Sequence, residues 1–193
     1  PTPMTPRSPF PPRMQRLLAV SAATLLGAAA PAHAEDFGFK GAQIGSPISL
    51  IANNPKYDCK AVLTPTADRI CALKKNESET IAGAPVLSVF YFYDQTRLTG
   101  IQITLEEKYF RTAVDALTGK YGPPALTRTP LKNLKGIAFE NQTYTWRALG
   151  QSMVAERYAG RLDRAMLRMA EEGAAQRIRA QREALAREPR KDL

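Results

Sequence analysis

The chain contains 193 residues with a formal net charge of +9, and 44% of its residues are hydrophobic. This length suits one domain that buries roughly two-thirds of its unfolded surface. One histidine, His33, and two cysteines, Cys59 and Cys71, are present, which leaves little scope for a cysteine- and histidine-rich metal site.

The first 34 residues have the features of a secretory signal peptide. Three arginines precede an uncharged apolar run, and Ala32 and Ala34 form an A-x-A cleavage site. The run is shorter than the about 20 residues that span a bilayer, and no cysteine follows it as in a lipoprotein. We therefore expect residues 1–34 to be removed and Glu35 to begin a soluble periplasmic protein without a transmembrane segment.

Removal of this segment restricts the chemistry of the mature protein. It takes away three arginines and no acidic residue, which lowers the net charge from +9 to +6, and it takes away His33. Catalytic triads, His-ligated zinc and histidine general bases are then excluded. We expect no enzyme, cofactor or metal. Export argues against nucleic acid, so the expected partner is an envelope protein or an anionic envelope polymer.

The two cysteines are expected to form a structural disulfide. An even cysteine count in an oxidising compartment is typical of disulfide pairing, and closing a loop of this length stabilises a fold by roughly 3 kcal/mol. A redox couple is the alternative, but such pairs usually have C-x-x-C spacing. The spacing of Cys59 and Cys71 favours the structural role.

The first half of the mature chain predicts a short helix and then strands. Ser46 and Pro47 have the residue types of an N-cap and a first helical position. Residues 60–63 and 70–73 read as two short strands. Residues 86–93 and 98–105 read as a hairpin, because β-branched and aromatic residues precede a polar turn and an alternating strand.

A helix is predicted after this hairpin, over residues 106–121. Thr104 and Glu107 match a capping box, and apolar residues recur at helical spacing up to Gly122. Glu106 and Glu107 are a possible carboxylate pair for catalysis, but a charged first turn that stabilises the helix dipole is the favoured interpretation.

The rest of the chain predicts a connection, a second hairpin and a basic helix. Residues 126–134 read as a proline-containing loop, and residues 137–148 and 152–159 as strands. Trp146 in the first of these strands is interpreted as a core aromatic, with a ligand platform as the alternative. Residues 164–170 fit both a strand face and a helix stripe, and we favour a strand.

Residues 172–193 are predicted to form a basic C-terminal helix or tail with few apolar residues to anchor it. Its arginines, which include Arg177, Arg179 and Arg182, form either a solvated face or a docking element for an anionic surface. We therefore expect this segment to contribute little to folding.

The order of elements repeats along residues 35–171. A helix followed by antiparallel strands occurs twice, which predicts a single α+β domain of two helix-plus-hairpin units in tandem, with an antiparallel sheet and helices packed on one of its faces.

The aromatic strand, its Asp94-led turn and the returning strand with Leu98 and Ile101 resemble those of BamE-like (SmpA/OmlA) envelope proteins. The segments around Pro47 and Pro123 resemble helix-end elements of the same group, and the tandem plan resembles the β-lactamase-inhibitor-protein-like fold. The resemblance implies a non-catalytic binding or envelope-assembly module. An inhibitor of an exported hydrolase is the alternative, supported by the fold analogy and the loop between Cys59 and Cys71. The absence of a lipidated cysteine and the presence of the cysteine pair depart from the assembly lipoproteins.

Overall fold

The computed structural model describes residues 36–132 and 136–187. The proposed signal peptide with Ala32 and Ala34, and residues 188–193 of the C-terminal tail, lie outside this part of the chain. The described strands are β1 (Gly38–Phe39), β2 (Ala42–Gln43), β3 (Tyr57–Thr64), β4 (Ala67–Leu73), β5 (Thr80–Ile81), β6 (Ala84–Asp94), β7 (Arg97–Glu106), β8 (Ala125–Lys132), β9 (Ala138–Ala148), β10 (Gln151–Glu156) and β11 (Arg164–Glu171).

Three α-helices occur in the described residues: α1 (Ser49–Ala52), α2 (Phe110–Tyr121) and α3 (Ala174–Arg187). A single 3-10 turn, Glu107–Tyr109, precedes α2. Within the described part of the chain, no helix is both long and apolar enough to cross a membrane.

Most strands belong to one antiparallel sheet. Its order is β3-β4-β6-β7-β11-β10-β9-β8. The short strand β5 also pairs with β6 but is not part of this order. The centre of the sheet joins two distant parts of the sequence, because β11 pairs with β7 over Arg164↔Glu106 to Ala170↔Gly100. The small β1–β2 hairpin forms a separate two-stranded sheet.

One face of the large sheet carries the hydrophobic core. Strand register aligns a single row of side chains across seven strands: Cys59, Cys71, Tyr91, Ile101, Met169, Met153 and Trp146. Helix α2 covers this face with Phe110, Val114 and Leu117. Their burial contributes up to roughly 6 kcal/mol, an upper bound because unfolded chains are partly collapsed.

Helix α3 lies against the opposite face of the sheet. At the start of α3, a cleft is lined by Phe92, Gly100 and Ala170 of the sheet. Side chains alternate between the two faces along a strand, and these three residues alternate with the core residues, so they lie on the face opposite the core. Ile178 of α3 is 2% exposed. The expectation of a weakly anchored C-terminal helix is therefore wrong at this residue.

The predicted fold class is also wrong. The described residues are mostly antiparallel β-sheet with nine strands in one sheet, and they do not form an α+β tandem of helix-plus-hairpin units with helices on one face. Helix α1 has only four residues, and α3 packs on the face opposite to α2. The pairing of β7 with β11 merges the two expected hairpin units into one continuous sheet.

Three local expectations fail because tertiary pairing overrides local signals. Thr104 lies inside β7 instead of capping a helix, because β11 pairs with β7 as far as Glu106. Ser46 does not cap α1, which begins at Ser49 without a side-chain cap. The expected loop at residues 126–134 is largely the edge strand β8, although it contains Pro130, which edge strands tolerate.

Other expectations are confirmed. Both predicted hairpins form, as β6–β7 and β9–β10. Residues 164–171 are a strand, and the disulfide Cys59–Cys71 joins two residues that face each other directly across β3 and β4. Gly122 ends α2 with φ 83° and donates its N–H to the carbonyl of Thr118 at 2.9 Å.

Candidate binding surface

Trp146 is a core residue in the structure. It is 4% exposed, and its indole Nε1 donates a 2.8 Å hydrogen bond to the carbonyl of Gly122. The Tyr144 ring stacks beside it, with 6.4 Å between the ring centroids. The favoured interpretation of Trp146 as a core aromatic is confirmed, and its side chain is not displayed to a partner.

The three arginines of α3 that were candidates for a basic surface have different environments. Arg177 donates two 3.1 Å hydrogen bonds to the carboxylate of Glu171. Arg182 binds the backbone carbonyls of Thr64 and Ala67 at the turn between β3 and β4. Arg179 is exposed and forms no ion pair within residues 36–132 and 136–187. Only Arg179 therefore keeps a guanidinium available to a partner.

The β3–β4 hairpin is restrained at its base. The disulfide between Cys59 and Cys71 links its two strands. Nearer the tip, the carboxylate of Asp68 accepts hydrogen bonds at 2.9 and 3.0 Å from the backbone N–H of Gln95, in the turn of the neighbouring β6–β7 hairpin. The disulfide therefore holds β3 to β4, and Asp68 holds β4 to the neighbouring hairpin of the same sheet.

The tip of the same hairpin is restrained separately. The hydroxyl of Thr64 donates a 3.1 Å hydrogen bond to the carbonyl of Ala67, and Arg182 binds both of these residues. Leu63, next to this turn, is 86% exposed. The large apolar side chain of Leu63 is thus exposed beside a turn whose backbone conformation is restrained by hydrogen bonds.

The hairpin tip and α3 border a shallow groove, which we call the hairpin–helix groove. Its volume is about 440 Å³, and its lining residues are Leu63, Thr64, Pro65, Arg179, Arg182, Glu183 and Ala186. Arg187 neutralises Glu183 at 3.7 Å. Arg179, which also lines the groove, forms no ion pair among the described residues, so the groove has an unpaired positive charge.

Sequence reasoning missed Leu63 as a candidate. Residues 60–63 were interpreted as a strand, and the structure places them in β3. The sequence Thr64-Pro65-Thr66 that follows has turn-forming residues. A leucine directly before such a turn, in a hairpin at the edge of the sheet, tends to be exposed. The leucine before the turn was therefore the feature of the sequence that could have identified Leu63.

A carboxylate with a lowered pKa, that of Glu79, lies away from the groove. Burial raises the pKa of Glu79, but hydrogen bonds and charge from Lys40 and Lys56 outweigh it and hold that pKa below its usual value. The ion pairs are 3.1 and 3.3 Å long. Burial is the main reason that the pKa of neighbouring Tyr57 rises to about 12. This cluster joins three segments of the chain and has a structural role.

Glu106 and Glu107, the possible catalytic pair of carboxylates, form ion pairs with different basic residues. Glu107 binds Arg157 at 2.6 Å, and Glu106 binds Lys108 at 2.7 Å. The described residues contain no group of three or more side chains suited to hold a metal ion. The geometry of this region supports ion pairing.

Comparison of the chain with protein-family models, curated proteins and solved structures finds no match.

Proposed function

We propose that this protein is a non-catalytic binding module of the cell envelope that recognises a partner protein through the hairpin–helix groove. The observation that carries the proposal is the display of Leu63, 86% exposed, on a hairpin that is restrained at both base and tip. An envelope-assembly role, as the BamE-like resemblance implies, is one form of this function.

Restraint of the hairpin favours binding because a rigid loop loses little conformational entropy when a partner immobilises it. An apolar centre with a polar rim is the usual arrangement of a protein interface, and Leu63 with the charged residues beside it has this arrangement. Leu63 would enter an apolar pocket of the partner. The unpaired cation Arg179, which lines the groove, favours a pocket that acidic residues border.

Export to the periplasm is part of the proposal and has its own test. Its support is the sequence of the first 34 residues, with Ala32 and Ala34 at the cleavage site. Protein purified from the periplasm should begin at Glu35 by N-terminal sequencing. If the protein is found in the cytoplasm with residues 1–34 retained, export to the periplasm is contradicted.

The binding test compares three immobilised proteins in envelope extract: wild type, Leu63→Asp and Leu149→Asp. Leu149 is the matched control, since it is also an exposed leucine at the tip of a hairpin, at 66% exposure. A specific partner should be retained by wild type and by Leu149→Asp. The purified partner should bind Leu63→Asp about tenfold or more weakly, as expected for loss of a central anchor.

Retention of the same partner by all three proteins would contradict the assigned surface. Failure of wild type to retain any protein would contradict the proposed function. Equal melting temperatures of the variants establish that loss of binding is not loss of folding.

The alternative is inhibition of an exported hydrolase, and the same hairpin favours it, because a restrained loop that displays one apolar side chain can occupy an enzyme's substrate pocket. Titration against purified exported proteases and β-lactamases tests this. Inhibition by wild type and Leu149→Asp but not by Leu63→Asp would support it, and the absence of inhibition across the panel would contradict it.

A further inference from the structure

A second concave site lies between the start of α3 and the sheet face opposite the core. Its volume is about 310 Å³, and its lining includes Thr66, Phe92, Gly100, Gln102, Arg168 and Ala175. It is separate from the hairpin–helix groove. Its size is at the lower end of the roughly 300–1,000 Å³ that small-molecule sites occupy.

Small residues at facing positions create this cleft. Strand register places Phe92, Gly100 and Ala170 side by side on β6, β7 and β11, and Ala174 and Ala175 of α3 face them. A Cβ at Gly100 would meet its nearest neighbour, the carbonyl oxygen of Met169, at an ordinary 3.4 Å. Neither crowding nor a left-handed backbone requires glycine here, and its main effect is to leave the space beside the Phe92 ring open.

Polar groups at the rim of this space keep hydrogen-bonding capacity. Within the described residues, the half-buried Gln102 amide and the Thr66 hydroxyl make no hydrogen bond. Arg168 uses Nη2 to bind Glu156 at 3.1 Å, and its other guanidinium N–H groups have no partner in the same set of residues. Gln102 and Arg168 are paired across β7 and β11, so their donors lie at one end of a ligand on the Phe92 ring.

The charges around the cleft favour an anionic ligand. Glu171 also lines it, but Arg177 binds that carboxylate through two hydrogen bonds and Arg97 lies 3.6 Å from it. Three guanidinium groups therefore pair with only two carboxylates: Arg97 and Arg177 with Glu171, and Arg168 with Glu156. The net charge of this group of side chains is +1.

We propose that this cleft binds a small organic carboxylate with a ring or short acyl chain. The apolar part packs on Phe92, Gly100 and Ala175, and the carboxylate accepts hydrogen bonds from Arg168 and Gln102. Arginine matches a carboxylate geometrically through parallel N–H groups.

The test is an amide-detected NMR titration of the purified protein with phenylacetate, and with phenylacetamide as the neutral probe of the same shape. Phenylacetate should shift the resonances of Gly100, Ala175 and the Gln102 side-chain amide in a saturable way. It should bind about tenfold more tightly than phenylacetamide, since a charged hydrogen bond is worth about 1.5 kcal/mol or more.

Arg168→Gln should weaken phenylacetate binding about tenfold and leave phenylacetamide binding unchanged. Arg128→Gln is the matched control, because Arg128 is also an exposed strand arginine paired with a neighbouring glutamate at 3.1 Å, and it should have no effect. Gly100→Ala should weaken both probes by filling the cleft. Equal affinities for the two probes, equal effects of both arginine variants, or no saturable shift at about 10 mM would overturn the proposal.

Discussion

The guanidinium of Arg182 donates a 2.9 Å hydrogen bond to the backbone carbonyl of Ala67, a residue 115 positions earlier in the chain. A second donor of the same side chain binds the carbonyl of Thr64. The fork of guanidinium N–H groups suits this arrangement, since it can bind two acceptors at once. A cation expected on a solvated face thus ties the last helix to the tip of the β3–β4 hairpin.

Replacing Arg182 by Gln should loosen this hairpin tip. The shorter amide cannot bind both carbonyls, so backbone amides of residues 64–67 should exchange with deuterium several-fold faster than in wild type, because local opening then costs about 1 kcal/mol less. Hydrogen–deuterium exchange detected by NMR or mass spectrometry measures this.

Arg179→Gln is the control for that experiment, since Arg179 lies on the same helix and is exposed without an ion pair in the described chain. It should leave exchange of residues 64–67 unchanged. If both variants accelerate exchange equally, the general charge of α3 and not the two hydrogen bonds of Arg182 restrains the tip.

The attachment of α3 to the sheet should depend on Ile178. This side chain is 2% exposed, whereas Leu185 of the same helix is 68% exposed. Ile178→Ala should lower the free energy of unfolding by about 2–4 kcal/mol, and Leu185→Ala should change it by less than about 0.5 kcal/mol. Chemical denaturation measures both. Similar small effects would mean that α3 rests loosely on the sheet.

The strands that the sequence predicted correctly are those with a buried face. Residues 101–105 alternate apolar and polar side chains because one face of β7 is in the core. β8 carries no such signal, since seven of its eight residues are exposed, and hydrogen bonding to β9 alone defines it as a strand. The joining of both halves through β7 and β11 is a long-range pairing that local patterns do not encode.

The contacts of α3 at the candidate site were hard to predict for a related reason. Helix α3 is anchored by one isoleucine, Ile178, and is otherwise rich in Ala, Arg and Glu. It therefore has no apolar stripe from which the sequence could predict its packing on the sheet. The partners of Arg182 are backbone carbonyls, which have no sequence signature. The disulfide was predictable because an even cysteine count, together with the predicted export, is typical of cysteine pairing.

Removal of the disulfide should destabilise the protein without unfolding it. The double variant Cys59→Ser, Cys71→Ser frees a loop of about a dozen residues, worth roughly 3 kcal/mol. For a domain of this size that corresponds to a melting temperature about 6–12 °C lower. Reductant should lower the wild type to the same value and leave the double variant unchanged, and a thiol assay of unreduced wild type should detect none. Equal melting of oxidised and reduced protein would contradict a stabilising role.

Glu79 should make stability depend on acid pH. Burial raises its pKa, but Lys40 and Lys56 lower it further, so the folded pKa lies below the unfolded one. A carboxylate of this kind contributes stability that is fully present above its unfolded pKa and is lost as the pH falls through its folded pKa. The loss should therefore occur below about pH 4.3, the usual value for Glu.

Urea unfolding of wild type and Glu79→Gln at a series of pH values measures this contribution. At about pH 7 the variant should be less stable by about 1–3 kcal/mol, the typical effect of losing charged hydrogen bonds, and the difference should shrink below about pH 4.3 as Glu79 itself becomes protonated. Glu77→Gln is the control, because Glu77 is exposed two residues away, and it should show little difference at any pH. A Glu79→Gln difference that stays constant down to about pH 3 would mean that shape and packing, and not the charge on Glu79, hold the two lysines in place.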